Sequence, residues 1–167
     1  MRTALLSLLL AALTVPTAVL AADPPKRAGA LSVEGAMGVV KVTARGGLLG
    51  RIESGSIQLV DLTPNDRWFP VVNGLGRGIV VTMKGENISF RLLGGQYRLV
   101  LRGKGISIAA RGQGSAVLDG EPDEVGDTGI WAVGADADCR RTPDSCSRVP
   151  EQPRRVLFGS GNAQGQP

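Results

Sequence analysis

GQYRLVLRGKGISIAARGQGSAVLDG, residues 95–120, carries the pattern on which the fold turns. Tyr97, Leu99 and Leu101 alternate with Arg98, Val100 and Arg102, and Ile106, Ile108 and Ala110 alternate with Ser107, Ala109 and Arg111. A period of two belongs to a strand with one side packed and the other wet. Glycines interrupt the pattern, and the phase of the alternation tests each interruption. Across Gly103-Lys104-Gly105 the apolar set moves from odd to even positions, which a tight hairpin or a bulge would cause, and the hairpin is the expectation. Across Gly112-Gln113-Gly114 the even phase persists, so one strand kinked through glycine and a turn between two strands are both open.

The same period extends outward in both directions. Val40, Val42 and Ala44 alternate with Lys41, Thr43 and Arg45; Ile88, Phe90 and Leu92 alternate with Ser89 and Arg91. Strands are expected near 31–34, 38–45, 47–53, 56–62, 78–84, 87–93, 96–102, 106–111, 115–119, 129–133 and 155–158, and no window after the N-terminal segment has a helical period. The fold class is therefore all-β: a sandwich or barrel of short antiparallel strands joined by glycine-rich turns. GVVKVTARGGLLGRIESGSIQLVDLT and GISIAARGQGSAVLDG share a strand, glycine, strand layout without a fixed period of 20 to 50 residues, which keeps a β-solenoid as the alternative. Thr63 to Arg77 reads as a long connection.

The chain has 167 residues, enough for one domain over 30–158. With 43% hydrophobic residues but only 4% aromatic ones, its core has to come from Val, Ile, Leu and Ala. The N-terminus reads as a signal peptide over 1–21: Met1 and Arg2, an apolar run from Ala4 to Leu13, a break at Pro16 and small residues at Val19 and Ala21. Cleavage after Ala21 is expected, with an uncleaved membrane anchor as the alternative. Residues 22–29 read as a linker and 159–167 as a disordered tail. The destination is secreted or associated with the cell envelope. In such an oxidising compartment Cys139 and Cys146, which bracket the turn residues Thr142-Pro143-Asp144, are expected to form a disulfide.

There is no histidine in the chain, which removes histidine-dependent hydrolases and histidine-ligated zinc. With both cysteines paired and no P-loop or Rossmann glycine motif, neither a cofactor nor a metal is expected. Two carboxylates across a cleft would suffice for a hydrolase, but the acids crowd into one stretch: Asp119, Glu121, Asp123, Glu124, Asp127, Asp136 and Asp138. A calcium loop of the EF-hand type fails there, since Glu124 stands where glycine is required. Asp61, Asn65 and Asp66 are accounted for by Asx turns. Trp68 and Phe69 are expected to plug one end of the core, a stacking platform being the other reading.

Between Asn87 and Leu118 lie five cations, Arg91, Arg98, Arg102, Lys104 and Arg111, and no acid. On one sheet face they would form a basic patch able to bind an anionic polymer, with Trp68 assisting. Alternatively the acidic stretch folds over them, or they serve only to keep strand edges from aggregating. Nucleic acid is not an expected partner, because stacking aromatics do not interleave the cations.

VDLTPND and RLLGGQYRLVLRGKGISIAARGQG resemble a family of exported proteins of high-GC Gram-positive bacteria that has no assigned activity. The resemblance covers most of the chain after the signal and implies a secreted β-rich domain; it transfers no catalytic residue. The expected function is a non-enzymatic interaction or structural module of the envelope. The alternative is a binder of anionic or sugar-containing envelope polymers, the partner otherwise being another envelope protein, and a carboxylate hydrolase is third. Membrane contact is expected only through the signal segment if it is retained.

Overall fold

The computed structural model describes residues 28–76 and 78–159. The proposed signal peptide, almost all of the linker and all of the tail beyond Gly159 lie outside the described residues. Among the described residues, eight strands form one antiparallel sheet that does not close into a barrel. They are β1 (Gly29–Asp61), β2 (Val71–Val72), β3 (Leu75–Gly76), β4 (Val80–Leu92), β5 (Gln96–Gly120), β6 (Ile130–Gly134), β7 (Ser147–Arg148) and β8 (Arg154–Phe158).

The strands are fewer and much longer than expected. β1 has 33 residues and β5 has 25, and each is hydrogen-bonded to the other along two registers. Val39 faces Arg102 on one side and Asp119 on the other; Thr43 faces Arg98 and Ser115. Residues 102 and 119, like 98 and 115, are 17 apart, so β1 and β5 wind as an antiparallel pair that advances 17 residues per turn. The coil is flattened. Segments 38–45 and 55–61 of β1 with 96–103 and 113–120 of β5, flanked by the first half of β4 and by β8, make one layer. Segments 29–36 and 48–54 of β1 with 104–112 of β5, flanked by the second half of β4 and by β6, make the other.

Glycine makes the corners. Along one edge Gly85 pairs with Gly55, Gly55 with Gly103, Gly103 with Gly38 and Gly38 with Gly120; along the opposite edge Gly112 lies between Gly46 and Gly29. At Gly55 and Gly103 φ is 152° and 137°, and a Cβ on either would run into the carbonyl oxygen of the residue preceding the other, Arg102 or Ser54. The backbones approach too closely at the fold for any side chain, which is the reason for the residue type. The expected hairpin at Gly103-Lys104-Gly105 is absent, because β5 continues through it into the second layer. Its phase jump is real nonetheless, and the kept phase at Gly112 marks a corner on the other edge.

Each layer buries one face. Val40, Val42, Leu59, Leu99 and Leu118 from the first layer join Leu31, Ile52, Ile88, Ile106 and Ile108 from the second in a single core. Burying an aliphatic side chain of this size contributes roughly 1.5 to 3 kcal/mol, so the interior holds the layers together. Within the long 63–77 connection, β2 and β3 form a small hairpin whose turn residues Asn73 and Gly74 have φ of 50° and 74°. Asn-Gly is the usual residue pair for such a turn. Cys139 and Cys146 are joined by a disulfide, and the amide of the buried Cys139 donates to Ser32 Oγ at 2.9 Å, tying this loop to β1.

Candidate functional site

The first layer turns its uncharged side chains inward and leaves a flat outer face of alternate residues. Lys41 and Arg45 project from β1, Arg98 and Arg102 from β5, Lys84 from β4 and Arg155 from β8, and all six are exposed. The cross-strand registers order them. Arg102 sits beside Val39, Lys41 beside Val100, Arg98 beside Thr43 and Arg45 beside Gln96. Two neighbouring strands thus carry four cations in a zigzag, each facing a small or uncharged residue, with Lys84 and Arg155 to either side. Strands about 4.8 Å apart and same-face residues about 6.7 Å apart along a strand put successive cations of the zigzag roughly 8 Å from one another.

Acids are nearly absent from this face. Asp119, opposite Val39 at the end of β5, is the one carboxylate among its outward positions in the described residues. Ion pairs among the described residues join Arg111 to Asp136, Arg140 to Glu34 and Arg141 to Asp138, and none involves the six cations. The field of the face is therefore not cancelled locally, and it acts on whatever approaches from solvent.

The five cations expected to form a row are not all brought together. Arg98 and Arg102 lie on the first layer, whereas Arg91, opposite Leu49, and Arg111, opposite Gly47, lie on the second layer and point to the other side of the molecule. Lys104 stands beside the Gly103 corner, paired with Ser54. The acidic stretch reaches one of the five: Asp136 lies 3.6 Å from Arg111, whose guanidinium also donates to the Ala135 carbonyl at 2.8 Å. Lys41, Arg45, Lys84 and Arg155, outside the expected row, join the face from three other strands. Their shared outward phase is visible in the alternation, but the registers that align them are not.

Asp123 and Asp127 have local duties. Asp123 Oδ1 accepts from the amides of Val125 and Asp127, and Asp127 Oδ1 accepts from Gly129, so these carboxylates close turns. No group of three or more metal-ligating acids or cysteines occurs among the described residues. Glu53 and Glu86, outside the expected acidic stretch, line a shallow open depression with Arg51, Ser54, Asn87 and Ser89.

The turn after β1 behaves as its Asx residues suggest. Asp61 Oδ1 accepts from the Thr63 amide at 2.9 Å, Asp66 Oδ1 from the Trp68 amide at 2.8 Å, and Thr63 Oγ1 donates to Asp66 Oδ2 at 2.9 Å. Beneath it is Tyr97, fully buried, whose hydroxyl has no hydrogen-bond partner among the described residues. Burial, reinforced by the nearby charges of Asp61 and Asp66, pushes its pKa up to about 12. Trp68 and Phe69 do not plug the core: they are 40% and 64% exposed. The Trp68 indole rests on Gly94, and the Arg67 guanidinium lies 5.0 Å from its ring centroid, so this ring is already engaged within the chain.

The disulfide is a feature of proteins outside the reducing cytosol, and among the described residues no helix is long and apolar enough to cross a membrane. In comparisons with known proteins, no family model, curated protein or solved structure matches this chain.

Proposed function

We propose that this protein is a non-enzymatic module of the extracytoplasmic space that holds an anionic envelope polymer on the outer face of its first layer. The observation that carries this reading is the charge pattern: six exposed cations against one carboxylate, with no ion pair to any of them in the described residues. The face is a run of neighbouring strands along which an extended polymer can lie, and an open array of charges offers nothing to position a reacting bond. Export is supported by the N-terminal sequence and by the disulfide. Arg98 and Arg102 keep the binding role read from the sequence. Arg91 and Arg111 become controls, because they share the chemistry but not the face.

Retention on isolated cell wall tests the reading. The native protein is expected to bind at low salt and elute as ionic strength shortens the screening length. Arg98→Glu with Arg102→Glu reverses two charges on the face, a net change of four units, and is expected to abolish retention, while Arg91→Glu with Arg111→Glu, the same charge change on the other side, leaves most of it. Equal loss from both pairs would reduce the effect to net charge and sink the reading.

A further inference from the structure

Resting on the polymer-binding reading, we infer that the zigzag Arg102, Lys41, Arg98, Arg45 selects its ligand by charge repeat. The ligand it fits is a linear polyanion of phosphodiesters joined through three-carbon polyol units, lying parallel to the strands. The argument is geometric. A chain placed along the boundary between β1 segment 38–45 and β5 segment 96–103 meets a cation alternately from its left and its right. The step along its axis is the same-face rise of a strand, about 6.7 Å. Phosphates separated by three-carbon units repeat on this scale. Polyphosphate packs its charges at less than half that distance, so most of them would find no cation. A polysaccharide with one carboxylate per disaccharide spaces them more widely and slips out of step.

The surroundings fit the same ligand. Each cation faces Val39, Val100, Thr43 or Gln96 across the strand boundary, side chains that neither quench the charge nor block a thin chain. No cation of the zigzag lies directly opposite another, which avoids the repulsion that a straight double row would incur. Avoiding repulsion does not by itself require a face nearly free of acids. Opposite charges across the boundary would stabilise the pairs further, and the chain has 15 Asp and Glu to draw on. Their near absence, with Asp119 alone on the face among the described residues, points to an anion supplied from outside.

The test is binding of the full chain to synthetic oligo(glycerol phosphate) of two, four and eight units, to oligophosphate of equal charge and to hyaluronan oligosaccharides of equal charge. Affinity is expected to rise steeply up to four units and to exceed that for both other polymers by at least tenfold at four charges. Lys41→Gln, Arg45→Gln, Arg98→Gln and Arg102→Gln are each expected to weaken the four-unit ligand several-fold and to flatten the salt dependence by about one ionic contact. Arg91→Gln is expected to change neither. If all three polymers bind equally at equal charge, the charge-repeat inference fails and the basic-face reading stands. If none binds at low salt, both fall.

Discussion

Tyr97 shows at one residue what the core tolerates. Its ring fills space among Leu59, Leu99 and the other buried side chains, but its hydroxyl is left unpaired close to Asp61 and Asp66. An unpaired buried hydroxyl contributes no stability and carries a desolvation cost. Tyr97→Phe is accordingly expected to leave the melting temperature unchanged or raise it; a fall of several degrees would show that the hydroxyl has a structural partner. The pKa has a second consequence. Folding raises it from 10 to about 12, so the folded state disfavours the ionised ring. The associated stability is fully present below pH 10 and is lost as pH rises toward 12, by roughly 2 to 3 kcal/mol in all. Because the chain has a single tyrosine, absorbance at alkaline pH reads this group alone, and Tyr97→Phe is expected to remove its share of the alkaline loss.

At the scale of the strand, the corners decide the structure. Gly103→Ala would place a methyl group against Ser54 at a backbone angle that L-residues rarely adopt, and a loss of about 2 kcal/mol or more is expected in chemical denaturation. Gly47→Ala, where nothing lies within 4 Å of the added carbon and φ is ordinary, is the matched control and should cost little. The alternation made the straight segments legible: 38–45, 47–53, 56–62, 96–102, 106–111 and 115–119 all correspond to runs between corners. What the alternation could not tell is whether the chain reverses at a glycine or bends through it, since the phase jumps at the Gly103 corner and is kept at the Gly112 corner. The small Asn73-Gly74 hairpin has a readable turn signal, but its flanking strands, two residues each, are too short to show alternation. The basic face was half legible. Arg98 and Arg102 share a strand and stood out, whereas Lys41 and Arg45 join them only through a register set by the coil.

For the whole molecule, the repeat of the coil explains why no period emerged between 20 and 50 residues: it is 17, with Gly29 and Gly46, Gly38 and Gly55, Gly95 and Gly112, and Gly103 and Gly120 at equivalent places. Side chains between those glycines diverge, QYRLVLRG against QGSAVLDG, because one copy supplies the middle of a layer and the other lies next to the edge strand β8. The intertwining also makes the fold indivisible. Residues 29–47 find their strand partners only from residue 96 onward, in β5 and β6. A fragment of residues 28–95 is therefore expected to lack the strand signal of the intact chain in far-ultraviolet circular dichroism; a native-like spectrum would contradict the pairing. Pairing between such distant parts also predicts slow folding for a protein of this size. A polypeptide emerging N-terminus first thus has no strand partner for residues 29–47 until residue 96 has appeared, and that stretch waits unpaired while more than half of the chain is made.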